Sequence, residues 1–385
     1  MTFSEFSYPN DVHIIWTLMI VTYPFITGLV AGAFLVSALY FVFNKKELEP
    51  IHRFALIVSF SFMVCATLPL LLHLGHPERA FNVVIVPNFT SAISGFGFIY
   101  GFYFVILTIE IWLAYRIDII ENYRKAKGFK RTLWSLLALG VYDDSAESIK
   151  VDNWYIHILS LIGIPAAFTL HGYVGFMFGS VKSNPWWSSP LMPQIFLISA
   201  IQSGVAAIIL LYLVLGYFGV LERSFECLKS LIFYLWFAVL LVIISEGLEI
   251  LFLYYEATDA WEVVSKLLEE KLWFSFVILQ VGIGTGVSFI LLTLMVFFQK
   301  FEKTFASMAA IVSCLALFEV WMMRWNVVVG GQEFSKSFVG FRSYEPHFLG
   351  KEGILSTIIL TALPFIVLYI MSRIFSLRPR PKTTD

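Results

Sequence analysis

The chain has 385 residues, of which 59% are apolar and only 14% are charged, and its net charge is −1. An average soluble domain carries about 25% charged residues, so the composition excludes a string of ordinary soluble domains and indicates a chain surrounded by lipid. The near-zero net charge gives no electrostatic reason to expect nucleic acid as a partner.

Nine apolar stretches are long enough to cross a membrane, since one helical crossing needs about 20 apolar residues. Residues 129–141 contain too few apolar residues for a further crossing and are predicted to form an amphipathic helix on the membrane surface. With the connections trimmed, the predicted membrane helices cover residues 13–43, 52–74, 91–116, 153–180, 190–219, 229–255, 271–299, 303–327 and 352–376.

The distribution of positive charge predicts the orientation. Most of the 26 Lys and Arg residues fall in the connections on the same side of the membrane as the C-terminus. Because Lys and Arg accumulate on the cytoplasmic side, we predict that the N-terminus is outside and the C-terminus inside. Termini on opposite sides of the membrane require an odd number of crossings, which agrees with the nine predicted helices.

A faint internal repeat indicates how the helices are grouped. The segment from Gly32 to Tyr40 resembles the segment from Gly204 to Tyr212, as in membrane proteins built from parallel repeats, although two apolar helices can match by chance. We predict an all-α polytopic membrane protein with two four-helix bundles and a ninth helix. The predicted divisions are residues 1–180 for the first bundle, 181–327 for the second, and 328–385 for an outer loop, the ninth helix and a cytoplasmic tail.

Several polar residues fall inside the predicted membrane helices. Ionisable groups are costly in lipid, so each is a candidate functional group. Structural alternatives stay open: long side chains near helix ends can reach the headgroups, and a buried Tyr or His can be purely structural. We predict a proton path through Glu110, Glu246, Glu249, Glu319 and Arg324, although the last four could instead form a vestigial site. Arg324 is expected to meet Glu246, Glu249 or a ligand of a partner, and Tyr23 and His171 are singled out as polar groups of the first bundle.

The residues that could bind a cofactor give only weak signals. His157 and His171 are fourteen residues apart, as in paired b-type haems, but no second helix carries a matching pair. The three cysteines form no C-x-x-C motif, so we predict no iron–sulfur cluster, haem or metal site in this chain. In the loop after the second helix, His76 and Arg79 are better suited to a headgroup or a docked protein than to a metal.

Six segments form a pattern across most of the chain: Tyr23-Pro-Phe-Ile-Thr-Gly28-Leu-Val-Ala-Gly32, Leu-Gly-His76-Pro-Glu-Arg79, Ser91-Ala-Ile-Ser94, His171-Gly-Tyr173-Val-Gly-Phe, the loop from Lys182 to Pro193, and the segment from Arg324 to Gln332. Taken together, these segments resemble the NrfD/PsrC family, the membrane subunits of polysulfide-reductase-type respiratory complexes. Within the family, the additional C-terminal helix is most like the DsrP branch of DsrMKJOP-type complexes.

The resemblance implies a quinone, commonly menaquinone, bound in the first bundle near the outer face. Tyr23 falls where related subunits place a quinone-contacting histidine, His171 or Tyr173 would supply the other contact, and His76 and Arg79 would lie nearby. A quinone head needs hydrogen-bond partners at its carbonyl oxygens in an otherwise apolar pocket, and Tyr and neutral His can donate such bonds.

The resemblance also implies partners. A ferredoxin-like iron–sulfur subunit would dock on the outer face and exchange electrons with menaquinone or menaquinol, and cytochrome c and cytochrome b type subunits would complete the complex. The expected setting is the cytoplasmic membrane, in sulfur-compound or sulfate respiration, with proton translocation and with no catalytic residue in the isolated chain. The alternative is a proton-coupled secondary transporter that uses Glu246, Glu249 and Arg324 as its substrate and proton site.

Overall fold

The computed structural model describes residues 13–88, 90–256, 259–298, 304–335, 338 and 340–379. Within these ranges nine helices are long and apolar enough to cross a membrane, as predicted, and the only β-pairing is an isolated bridge between Phe334 and Phe341. The chain is therefore an all-α, multi-pass membrane protein. We name the helices span 1 to span 9 in chain order: Leu18–Phe41, His52–His73, Ala92–Lys125, Ala146–Gly179, Met192–Tyr217, Phe225–Tyr255, Ala260–Phe297, Phe305–Gln332 and Ile354–Ile374.

Three of the spans are irregular. Span 2 consists of the helices His52–Cys65 and Leu68–His73, and it is interrupted just before Pro69, which has no N–H to continue the ladder. Span 7 contains a π-helix, Leu268–Val287, followed by the α-helix Ser288–Phe297. Span 8 is α-helical over Phe305–Val328 and ends in the 3-10 turn Gly330–Gln332.

Short helices occupy some of the connections. Phe129–Leu137 forms a helix within the predicted amphipathic segment, while its position on a membrane surface remains a prediction. A one-turn helix, Asn82–Ile85, packs against the start of span 3. The 3-10 turn Lys46–Leu48 lies between spans 1 and 2 and packs against spans 1 and 6, and Pro77–Arg79 forms another such turn after span 2.

The spans pack in two groups of four. Span 1 contacts spans 2 and 4, and span 3 contacts spans 2 and 4. Span 5 likewise contacts spans 6 and 8, and span 7 contacts the same two. The groups meet where span 5 packs on spans 1 and 4 and where span 8 packs on span 1, while span 9 packs on span 2. The predicted residue boundaries of the bundles remain a prediction.

Two glycines allow the groups to approach closely. A Cβ atom added to Gly32 would lie 2.6 Å from the Cα of Gly204, so spans 1 and 5 touch backbone to backbone there. These two glycines are the equivalent positions of the internal repeat. Small residues at such a crossing let membrane helices pack closely, and this contact brings span 4 and span 8 to the same junction.

Candidate functional site

The junction of spans 4, 5 and 8 holds a buried arginine. The Arg324 guanidinium places Nη2 3.0 Å from Nε2 of His171 and 2.7 Å from Oγ of Ser199. Its central carbon lies 4.0 Å from the centre of the Phe196 ring. Arg324 and His171 are both fully buried, so Arg324 does not extend to the headgroups, and the cation is held by a ring face, a hydroxyl and an imidazole.

The contact with Arg324 fixes the hydrogen on the His171 ring. An arginine can only donate hydrogen bonds, so Nε2 of His171 must accept, and a neutral imidazole then carries its hydrogen on Nδ1. Nδ1 is buried and has no hydrogen-bond partner among the described residues. A Cβ atom on Gly28 would lie 3.3 Å from Cε1 of the ring, so Gly28 leaves room for the imidazole in this position. His171 therefore presents an unused donor.

Amide side chains, rather than cations, bind two carboxylates of the second group, Glu246 and Glu319. Gln202 Nε2 donates to Glu319 at 2.6 Å, and Gln280 Nε2 donates to both oxygens of Glu246 at 3.1 Å. Asn326 Nδ2 in turn donates to Gln280 Oε1 at 2.8 Å. These bonds connect spans 5, 6, 7 and 8 inside the predicted membrane region.

The predicted contact between Arg324 and the acids of span 6 is not formed. Within the described part of the chain Arg324 forms no ion pair with a carboxylate, and its side-chain partners are His171 of the first group together with Ser199 and Met323. A small cavity of about 20 Å³ borders Glu246, Glu249 and Asn326. One water molecule needs about 10–15 Å³ of such volume, so the cavity has room for one.

Glu110 lies in a separate buried environment of the first group. Ser160 Oγ donates to Glu110 Oε1 at 2.6 Å, and Oε2 is buried without a partner among the described residues. The side chain is fully buried, so it does not reach the membrane surface. One bound and one free oxygen allow this carboxyl to hold a proton.

Tyr23 and Tyr173 both contact the beginning of span 3. Tyr23 is buried, its ring packs edge-on against Phe96 with 5.4 Å between centroids, and its hydroxyl has no partner in the described structure. A Cβ atom on Gly95 would lie 2.9 Å from Cζ of Tyr173. Because Gly95 and Phe96 are neighbours in sequence, Tyr23 and Tyr173 contact the same turn of span 3, whereas His171 hydrogen-bonds to span 8.

The loop after span 2 carries His76 and Arg79, which are exposed. His76 Nδ1 lies 2.8 Å from a carboxylate oxygen of Glu78, and no hydrogen bond joins either residue to Tyr23 or His171. Their role in quinone binding remains a prediction. No group of three His, Cys, Asp or Glu side chains suited to a metal ion is present among the described residues.

Trp186 and Trp187 have a role that the sequence analysis missed. Tryptophans near the ends of membrane helices commonly lie in the interface belt, but Trp186 and Trp187 are only 6% and 5% exposed. Their indole nitrogens donate to the backbone oxygens of Asn326 at 3.1 Å and Val327 at 2.6 Å. These are carbonyls of the last turn of the span 8 α-helix, which lack helical partners. The tryptophans therefore cap span 8 directly beside the Asn326 side chain.

A tight backbone position was the available signal for this cap. A Cβ atom on Gly331 would lie 2.8 Å from Cε2 of the Trp187 indole, and Trp16 stacks on Trp187 with 4.9 Å between centroids. The paired Gly330-Gly331 after an apolar helix is consistent with a close approach by neighbouring side chains, which are Leu272 at Gly330 and the two tryptophans at Gly331. The sequence alone does not show which side chains these are.

Comparison with known proteins agrees with this architecture. A family model described as polysulphide reductase NrfD matches residues 8–336. A selenate reductase subunit of Mesobacillus selenatarsenatis is 31% identical over 322 residues, covering 82% of this chain and 73% of that protein. Two relatives are 27% identical and match 50% of this chain: a putative dimethyl sulfoxide reductase membrane subunit of Halobacterium salinarum and the Hdr-like menaquinol oxidoreductase integral membrane subunit of Archaeoglobus fulgidus. Those matches cover only 42% and 40% of the two relatives. The chain belongs to the polysulphide reductase NrfD family, as its motifs indicated.

Proposed function

We propose that this chain is the quinone-binding membrane subunit of a respiratory oxidoreductase complex. The observation that carries the proposal is a pair of buried donors in the first group, the Tyr23 hydroxyl and the His171 Nδ1–H, which have no acceptor among the described residues. Leaving a buried polar group without a partner costs about 1–3 kcal/mol. Such donors in a largely apolar region fit a ligand that brings carbonyl oxygens, as a quinone does.

Tyr23 and Tyr173 are the better candidates for contacts to the quinone head. Tyr23 and Tyr173 contact one turn of span 3 near the N-terminal face, the membrane face at which span 1 begins. His171 lies two residues before Tyr173 on span 4, and its bond to Arg324 keeps Nε2 occupied. In this arrangement the tyrosine hydroxyls bind and orient the head, and His171 offers one further donor without releasing a proton.

A quinone, when bound, supplies the two-electron, two-proton chemistry. The chain's own carboxyls then hold and move protons. Glu110, with one oxygen free, serves the first group, and Glu246, Glu249 and Glu319 provide a second buried set whose charges Arg324 balances at longer range. We propose the cytoplasmic membrane as the location, with protons exchanged with the cytoplasm through Glu110.

The proposed electron partner is a ferredoxin-like iron–sulfur subunit on the N-terminal face, in the predicted orientation the outer face. Three relatives carry names of subunits of selenate reductase, dimethyl sulfoxide reductase and a menaquinol oxidoreductase. The last name supports menaquinone as the quinone. Cytochrome c and cytochrome b type partners and a setting in sulfur-compound or sulfate respiration follow from the resemblance to the DsrP branch.

The test is purification of the native complex in mild detergent, followed by quinone extraction and iron analysis. We expect menaquinone and iron–sulfur subunits to co-purify with the wild-type chain. Tyr23→Phe and Tyr173→Phe should each lower quinone occupancy without loss of folded protein, and Tyr155→Phe, on the exposed side of span 4, is the matched control. Purified chain without quinone, iron or partner subunits, combined with solute uptake in liposomes, would support the transporter alternative instead.

A further inference from the structure

A cleft of about 600 Å³ lies at the C-terminal face, where span 1 ends, span 6 begins, span 7 ends and span 8 begins. Its mouth is formed by both four-helix groups, because the 3-10 turn after span 1 packs against span 6. The volume falls within the roughly 300–1,000 Å³ that is typical of small-molecule sites. It is remote from the buried donors described above, which lie on spans 1 and 4.

The rim of the cleft carries two charges of each sign. Lys45 and Glu47 come from the connection after span 1, and Glu226 and Lys229 come from the first turns of span 6. Within the described part of the chain none of the four forms an ion pair within 4.0 Å. The rim thus offers two cations and two anions, which complement a ligand that itself carries both charges.

The wall below the rim is apolar and continues into the membrane region. Ile232, Phe233, Met295, Val296 and Phe305 line the cleft. Phe233 is 47% exposed, and its ring packs at 6.0 Å from the ring of Trp236, further along span 6. A charged rim at the level of the helix ends with an apolar track beneath it matches the anatomy of a phospholipid, with its headgroup at the surface and its chains along the helices.

We propose that this cleft binds a zwitterionic aminophospholipid, with the lipid phosphate between Lys45 and Lys229 and its primary ammonium between Glu47 and Glu226. Basic pockets between membrane helices commonly bind lipid phosphate groups. The two carboxylates favour a lipid that adds an ammonium hydrogen-bond donor over an anionic lipid, which they repel. They also favour it over a choline lipid, whose trimethylated nitrogen has no N–H to donate.

The experiment uses the full chain, delipidated in detergent and titrated with single lipids while bound lipid is counted by native mass spectrometry. We expect phosphatidylethanolamine to bind about two- to tenfold more tightly than phosphatidylcholine, the factor given by one net hydrogen bond. Phosphatidylglycerol and free glycerophosphoethanolamine should bind more weakly still, the latter because it lacks the chains that occupy the apolar wall.

Charge variants then locate the site. The double variant Glu47→Gln and Glu226→Gln should remove the preference for phosphatidylethanolamine over phosphatidylcholine, and Lys229→Ala should weaken both. Lys125→Ala, which removes an exposed cation from another part of this face, is the matched control. Equal binding of the three phospholipids by the wild-type chain, or a preference that survives the double variant, would overturn the proposal. Neither result depends on whether the chain binds quinone.

Discussion

Nη2 of Arg324 lies 3.0 Å from Nε2 of His171, and this hydrogen bond joins span 8 of the second group to span 4 of the first. The bond occupies the acceptor nitrogen of the imidazole and leaves the donor nitrogen free. Because His171 is two residues from Tyr173, a shift of span 4 at Tyr173 would also move the Arg324 contact. Arg324 shares span 8 with Glu319, so such a shift would reach the second group through span 8 and not through a direct bond to a carboxylate.

This relationship predicts opposite effects for two substitutions of one residue. In His171→Gln the side-chain oxygen can replace Nε2 and keep the acceptor for Arg324, while the donor at the Nδ1 position is lost. In His171→Asn the amide nitrogen can replace Nδ1 as donor, while Arg324 loses its acceptor. We expect His171→Gln to keep thermal stability but lose quinone affinity, and His171→Asn to lose stability by about 1–3 kcal/mol.

The measurement is a thermal unfolding curve and a quinone titration for each variant in detergent. If both variants lose stability equally and bind quinone as well as the wild type, then His171 is a structural residue and its Nδ1–H serves no ligand.

A second prediction concerns the crossing of spans 1 and 5. Gly32→Ala places a methyl group 2.6 Å from the Cα of Gly204, and such overpacking costs about 1–3 kcal/mol. Gly101→Ala is the matched control, because no atom lies within 4 Å of its added Cβ, and replacing a helical glycine by alanine gains up to about 1 kcal/mol. Unfolding temperatures should therefore fall for Gly32→Ala and stay level or rise for Gly101→Ala. Equal changes would rule out a tight contact at this crossing.

The nine crossings could be predicted because each depends only on the length and apolarity of a local stretch. The buried polar residues of the candidate site could be picked out from the sequence, but which of them contact each other could not. Charge and burial mark His171 and Arg324 individually, yet they are 153 positions apart, and a helix pattern does not show which face of one helix meets which face of another. The π-helix of span 7 was missed for a related reason, since Gly282, Gly284 and Gly286 do not distinguish π from α geometry.

A third prediction tests the tryptophan cap of span 8. Trp187→Phe keeps an aromatic ring beside Trp16 but removes the N–H that donates to Val327 O at 2.6 Å. A buried carbonyl without its donor costs about 1–3 kcal/mol, so the unfolding temperature should fall. Trp154→Phe is the control, because Trp154 is 58% exposed and projects away from the packed side of span 4. This substitution should leave the unfolding temperature unchanged. A fall of the same size in both variants would show that loss of indole surface, rather than loss of the cap, is responsible.

The last prediction is a pH dependence centred on Glu333, just beyond the end of span 8. Burial raises the pKa of its carboxyl from 4.5 to about 7, and the positive charge of Lys271 partly opposes this rise. The folded state therefore binds the proton more tightly than the unfolded state. The stabilisation is fully present below about pH 4.5 and is lost as the pH rises to about 7, with a total on the order of 2–3 kcal/mol.

Thermal unfolding between pH 4.5 and 8 measures this effect. Glu333→Gln stays neutral throughout, so its unfolding temperature should fall less steeply over this interval than that of the wild type, and the two curves should diverge most above pH 7. Glu345→Gln, which removes an exposed carboxyl from the same loop, should keep the wild-type slope because it leaves the buried group in place. A Glu333→Gln curve parallel to the wild-type curve would mean that the Glu333 carboxyl is solvated in the folded protein and does not govern the stability of the segment that follows span 8.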